Sequence, residues 1–131
     1  MRHLLALFVL GAGCSTASPD RPETLPRGRW GGEHAELVVS DDGGAIEFDC
    51  AHGSLDSPIT LDERGRFEVR GTFVREGGPI REGNQEKQPA RYGGTSDGKT
   101  LDLTVTLDVG GEPIGPFHLT LGQTTRLRKC L

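Results

Sequence analysis

Apolar and polar residues alternate with a period of two along most of the chain. Every second side chain is apolar in five runs: HAELVVS, AIEFDCA, RFEVRGTFV, KTLDLTVTLDV and PFHLTL. This alternation is typical of strands that bury one face and expose the other. The runs do not place their apolar residues at the spacing of a helix, so the pattern predicts an all-β domain.

The turns between these runs predict how neighbouring strands pair. A DDGG loop would bring Leu37 opposite Phe48, and the SDGK turn, a strong hairpin signal, would bring Tyr92 opposite Leu103. Because a slip of one residue would move every side chain to the other face, a consistent apolar face across consecutive hairpins favours a meander.

The runs predict about eight strands, which begin near residues 34, 45, 55, 67, 89, 100, 115 and 126. Eight short antiparallel strands in one small domain favour an up-and-down barrel, because closure removes the exposed sheet edges. A β-sandwich is the alternative. With a folded part of about 100 residues, such a barrel would be filled mostly by its own side chains.

The segment Gly28-Arg29-Trp30 stands just before the first predicted strand. It resembles the G-x-W motif that opens lipocalin-like barrels, in which a basic residue of the last strand packs over the tryptophan. The resemblance implies the same kind of small barrel, with Arg126 or Arg128 as the basic residue. The domain is much shorter than a true lipocalin.

The N-terminal residues have the order of a secretory signal peptide. Arg2 precedes an apolar run over residues 4–10, and small residues lead to Cys14. The run is too short to span a bilayer, which needs about 20 residues. The GAGC stretch resembles the lipobox of bacterial lipoproteins, with Gly11 where leucine is usual. This resemblance implies cleavage after residue 13 and acylation of Cys14. An ordinary secreted protein is the alternative.

The chain is therefore predicted to have three parts: a signal peptide at residues 1–13, a lipid-anchored flexible tether at 14–27, and one domain at 28–131. The tether contains three prolines and little apolar content. Ser15 rather than aspartate follows the lipidated cysteine, and by the same resemblance this implies anchoring in the outer membrane, on its periplasmic or surface side.

Export leaves Cys50 and Cys130 as an even pair in an oxidising compartment. This predicts an intramolecular disulfide, with a metal site or a catalytic thiol as the alternative. Alternation places Cys50 on the inward face and Cys130 on the outward face. A bulge or an irregular last strand would be needed to bring them together.

The charge of the chain does not favour a nucleic-acid partner. It has 15 Lys and Arg against 19 Asp and Glu, a net charge of −4, with both signs interspersed and no basic cluster.

One acidic face is a metal candidate. The predicted first hairpin places Glu36 opposite Asp49, with His34 and Glu47 nearby. Like charges directly opposite each other are destabilising unless a bound cation or a protein cation compensates. A solvated acidic face is the favoured interpretation, so no cofactor is predicted.

No catalytic residues are predicted. A Cys50–His52 pair would need a free thiol, and His52 with Gly53 is more simply a turn. Ser54 and Ser57 lack the G-x-S-x-G context of a nucleophilic serine.

The longest turn, over residues 77–88, is the candidate binding loop, with Arg75, Ile80 and Arg81 as its binding residues.

The sequence thus favours a lipid-anchored envelope protein that is a non-enzymatic binding or structural module. The membrane and an envelope protein are its expected partners. An inhibitor of a lysozyme or protease that acts through this loop is one alternative, because small anchored barrels of this kind include such inhibitors. A metal-dependent hydrolase is the other.

Overall fold

The computed structural model describes residues 23–77 and 86–130, together with Gly11. In these residues eight antiparallel strands form a closed barrel, in which each strand pairs with its sequence neighbours and β1 closes on β8. The strands are β1 Gly28–Gly32, β2 Ala35–Ser40, β3 Gly43–Phe48, β4 Ala51–Leu55, β5 Arg66–Arg75, β6 Gln88–Ser96, β7 Thr100–Leu107 and β8 Pro113–Leu121. The predicted up-and-down barrel is confirmed.

The predicted strand near residue 126 is wrong, and the first strand is one that the pattern missed. Gly28–Gly32 pairs with both β2 and β8. Arg126 makes only an isolated parallel bridge with Glu33. Three of the five residues of β1 are glycine, and glycine is depleted in strands and adds no apolar side chain to an alternating pattern.

Two hairpins are shifted by two residues from the predicted register. Leu37 lies opposite Ile46 rather than Phe48, and Tyr92 lies opposite Val105 rather than Leu103. A shift of two keeps every side chain on its own face. The inward faces were therefore predicted correctly, although the partners were not.

The predicted turn at His52 and Gly53 is wrong, because both residues lie within β4. The turn is formed instead by Asp49 and Cys50. A Cβ atom at Gly53 would lie 2.2 Å from Oη of Tyr92, so glycine is needed here for packing. Cys50 is an exposed turn residue rather than an inward one, which removes the predicted mismatch with Cys130.

Two large aromatic side chains fill the centre of the barrel. Trp30 and Tyr92 are both fully buried. The indole Nε1 of Trp30 donates to the carbonyl oxygen of Pro26 at 2.9 Å, and the Tyr92 hydroxyl donates to that of Thr72 at 2.5 Å. Burial raises the pKa of Tyr92 far above its ordinary value, so the hydroxyl stays a proton donor. With these polar ends satisfied, both rings can remain buried in the core of the barrel.

Part of the predicted tether packs against the barrel. The amide of Leu25 donates to the carbonyl oxygen of Ile59 at 2.9 Å, and the amide of Leu61 donates to that of Glu23 at 2.8 Å. Leu25 is only 3% exposed and belongs to the core. The domain therefore begins at or before residue 23, within the segment 14–27 that was predicted to be a tether.

Within the part of the chain that the structure describes, no helix is long and apolar enough to cross a bilayer.

Candidate functional site

The barrel wall has a gap where β8 extends past β1. β1 pairs with β8 only through Trp30–Gly32, whereas β8 pairs with β7 from Pro113 to Thr120. Residues 113–118 therefore extend past the last β1 residue paired with β8. We call this gap, between residues 113–118 and the β1–β2 turn, the notch.

A pocket of about 860 Å³ opens at the notch. Its size is within the range of about 300–1,000 Å³ that small-molecule sites occupy. Six apolar residues line it: Phe48, Ala51, Phe73, Ile114, Pro116 and Phe117. We call this space the notch pocket.

Three aromatic rings form the apolar floor of the notch pocket. The ring centroid of Phe48 lies 5.1 Å from that of Phe117 and 5.6 Å from that of Phe73, and both pairs are tilted. Phe48 and Phe73 are buried, whereas Phe117 is half-buried. Tilted aromatic pairs at this distance stabilise one another, so the floor is a defined surface.

His34 is held at the rim of the notch pocket by a carboxylate. Its Nδ1 lies 2.6 Å from Oδ2 of Asp49, and Oδ1 of Asp49 accepts a hydrogen bond from the amide of Arg128 at 2.8 Å. The Arg128 hydrogen bond, followed by the one with His34, holds the pKa of Asp49 below its ordinary value despite partial burial. His34 has a φ of 71°, in the left-handed region that non-glycine residues rarely adopt.

The residues after β8 run along the outside of β1 towards the same rim, and we call residues 122–130 the C-terminal strap. The amide of Arg126 donates to the carbonyl oxygen of Gly32 at 3.0 Å, and the amide of His34 donates to that of Arg126 at 2.9 Å. A Cβ atom on Gly31 would lie 2.1 Å from the backbone oxygen of Gln123. Glycine in β1 is therefore needed for the strap to pass.

The strap ends at the disulfide predicted from the sequence. Cys50 and Cys130 are paired, with their Cα atoms 5.1 Å apart. The amide of Cys130 also donates to the carbonyl oxygen of Asp49 at 3.2 Å. Cys50 lines the notch pocket, so the disulfide ties the strap to a wall of the candidate site.

Lys129 is a second attachment of the strap. Its Nζ donates to Oε2 of Glu47 at 2.6 Å and to Oε2 of Glu76 at 2.7 Å. It also donates to the carbonyl oxygen of Phe48 at 2.8 Å. Burial lowers the pKa of Lys129, but the hydrogen bonds to the two carboxylates outweigh this and raise it above its ordinary value. The hydrogen bond that Lys129 donates to Glu76 lowers the pKa of Glu76 below its ordinary value.

The acidic face differs from its predicted register. Glu36 lies opposite Glu47 rather than Asp49. Nε of Arg29 lies 3.6 Å from Oε1 of Glu36, and the ammonium group of Lys129 compensates the charge of Glu47. Of the three metal candidates, His34 and Asp49 are brought together, whereas Glu36 is paired elsewhere. Among the described residues, no group of three or more His, Cys, Asp or Glu is arranged to hold a metal ion.

The structure places the remaining candidates as follows. Arg75 is exposed at the end of β5 and lines the notch pocket. His118 is exposed, its Nδ1 contacts Asp102, and it also lines the notch pocket. Three of the predicted site residues lie outside the described residues: Cys14, Ile80 and Arg81.

Several residues of the site were not found from the sequence. Phe48, Phe73 and Phe117 were recognised only as inward-facing residues of three strands, and their meeting at one end depends on the register. Lys129 stands 82 residues from Glu47 in the chain. Nothing in the local pattern links positions so far apart.

Replacing Asp49 with asparagine is expected to lower the free energy of unfolding by about 1 kcal/mol near neutral pH, because the ionised acceptor for His34 and Arg128 is lost. The pKa of Asp49 in the folded state lies below the ordinary value of 3.8. The stabilisation is thus complete above that pH and is lost as the pH falls through the folded-state value. Urea unfolding at about pH 7 and about pH 3 should show the difference shrinking in acid.

Asp42, an exposed aspartate of the β2–β3 turn, provides the matched control. Its change to asparagine should alter stability by less than about 0.5 kcal/mol at either pH. A difference between wild type and the Asp49→Asn variant that is equally large at both pH values would contradict this account of Asp49.

No protein-family model, curated protein or solved structure matches this chain. The proposals below are therefore based on the geometry of the barrel and on the sequence.

Proposed function

We propose that this chain is a lipid-anchored cell-envelope protein that binds a small ligand in the notch pocket and has no catalytic role of its own. The notch pocket is the observation that carries the proposal. It combines a floor of three aromatic rings with a rim of positioned polar groups, the combination by which proteins bind and orient small molecules.

Two features of the chain support a place in the cell envelope. The GAGC stretch resembles a lipobox, and Cys14, which would carry the lipid, lies outside the described residues. The Cys50–Cys130 disulfide belongs to an oxidising compartment, because disulfides rarely persist in a reducing cytosol. The barrel and the Gly28-Arg29-Trp30 segment also agree with a lipocalin-like module.

The two alternative functions gain less support from the site. An inhibitor acting through residues 77–88 would use Arg75, Ile80 and Arg81, of which the structure describes only Arg75. A metal-dependent hydrolase would use the acidic face, but there Glu36 and Glu47 are each compensated by a protein cation. The notch pocket is thus the better-supported site.

The proposal is tested with a neutral apolar dye. The soluble chain, residues 15–131, is titrated with N-phenylnaphthylamine, whose fluorescence rises on transfer from water to an apolar site. Ile114 is half-buried in the wall of the pocket. Its change to asparagine removes apolar contact area, so we expect dye binding to weaken about fivefold.

Val38 provides the matched control, because it is an apolar side chain on the outer face of β2 that is 41% exposed and away from the pocket. Val38→Asn should leave dye binding unchanged. Melting curves of both variants show whether each is folded. If both bind the dye as wild type does, or if amide chemical shifts in wild type do not change around the notch, the pocket is not the binding site.

A further inference from the structure

Arg75 occupies an inward position at the end of β5. Inward residues alternate along this strand through Val69, Gly71 and Phe73, which are buried, and the next residue of that series is Arg75, which is exposed. The strand therefore changes from apolar to cationic on its inner face just where the barrel opens. This residue type is unexpected there, since inward positions of small barrels are normally apolar.

The aromatic floor holds the guanidinium of Arg75 over the pocket. Its Cζ atom lies 5.5 Å from the ring centroid of Phe73. A guanidinium on an aromatic face is attracted by the ring, and its N–H groups point outward in the guanidinium plane. In this position they can donate two parallel hydrogen bonds to a planar oxyanion.

Among the described residues, two acidic side chains near Arg75 already have hydrogen-bonding partners. Asp49 contacts His34, and Glu76, the next residue after Arg75, contacts Lys129 at 2.7 Å. Glu33, another carboxylate of the notch pocket, belongs to the β1–β2 turn, and β1 lies on the opposite side of the eight-stranded barrel from β5. The end of the pocket near Arg75 therefore favours an anion.

The edge of β8 disfavours an extended peptide as the occupant. Among the described residues, β1 pairs with β8 only at residues 119–121, and the free edge of residues 113–118 can accept a further strand. Pro113 and Pro116 lie on this edge, and proline lacks the N–H group that such pairing requires. A compact ligand that uses the aromatic floor fits the notch better than a strand does.

We propose that the notch pocket binds an amphipathic anion, with its apolar ring or chain on Phe48, Phe73 and Phe117 and its carboxylate or sulfonate on Arg75. This inference rests on the proposed binding function of the same pocket. It adds the charge of the ligand and the residue that selects it.

The test uses three ligands that share one ring and differ in head group: naphthoate, naphthalenemethanol and naphthylmethylammonium. Their binding to the soluble chain is measured by calorimetry and by amide chemical shifts. We expect naphthoate to bind about tenfold more tightly than the neutral alcohol, because a charge-assisted hydrogen bond is added, and the ammonium ligand to bind most weakly.

Arg75→Gln should remove the preference for naphthoate and leave the alcohol unchanged, whereas Arg75→Lys should keep part of it. Arg64→Gln is the matched control, because Arg64 lies in the turn before β5, at the opposite end of the barrel. It should leave all three affinities as they are.

Each outcome decides between the two proposals. If naphthoate and the alcohol bind equally well at the notch, or if Arg75→Gln keeps the preference for naphthoate, the assignment of an anionic ligand is wrong. Ligand binding in the notch pocket would still be supported. If none of the three ligands binds and the neutral dye does not bind either, the proposed binding function is wrong.

Discussion

Replacing Cys50 and Cys130 together with alanine is expected to lower the free energy of unfolding by about 4–5 kcal/mol. The bond joins residues that are 80 positions apart, so its loss frees most of the folded chain in the unfolded state. In the chain-entropy model this effect grows with the logarithm of loop length. A loss of this size is a large fraction of the stability of a small domain.

The variant should nevertheless fold, because the strap has other attachments. The amide of Arg128 still donates to Asp49, and Lys129 still contacts Glu47 and Glu76. Urea unfolding of the soluble chain is the measurement, with dye binding as a second readout of the pocket wall. Wild type treated with a reductant should reproduce the stability of the double variant.

The cysteine alkylation state is the independent check. Mass spectrometry of a non-reduced digest should find the two peptides linked. If both thiols are alkylated without reduction, or if the double variant is as stable as wild type, the disulfide does not staple the domain.

The face of each side chain could be predicted from the sequence more reliably than its partner. Alternation depends only on the period of a strand, so the inward placement of Leu37, Tyr92 and Phe117 was correct. Pairing depends on turn length. The β2–β3 turn has two residues between Ser40 and Gly43, whereas a four-residue loop was predicted, and this difference produced the register shift of two.

The notch could not be predicted, because it arises from a difference in length between two strands. β1 has five residues and β8 has nine. With Gly28–Gly32 taken as the segment before the first strand, the wall between β1 and β8 was not considered at all. Arg75 was named as a binding residue, although for its place beside a loop and not for its inward position over Phe73.

The strap shows the same limit over a longer range. Its contacts join Asp49 to Arg128 and Glu47 to Lys129, pairs separated by 79 and 82 residues. The cysteine count alone linked these two regions, because an even pair of cysteines in an exported chain predicts a bond whatever the distance. The salt bridges and the His34–Asp49 contact beside that bond have no comparable sequence signal.

Cys14→Ser in the full chain is expected to move the protein from the membrane fraction to the soluble fraction of cells that process lipoproteins. Acyl chains contribute about 0.8 kcal/mol per buried methylene, and two or more chains on one residue are needed for stable anchoring. Without the cysteine thiol there is no site for this lipid, and the GAGC stretch no longer resembles a lipobox.

Fractionation with immunoblotting measures the distribution, and mass spectrometry of the N-terminal peptide measures acylation. Ser18→Ala, four residues further along, is the control and should stay with the membrane. A Cys14→Ser protein that stays membrane-bound and acylated would show that the anchor lies elsewhere.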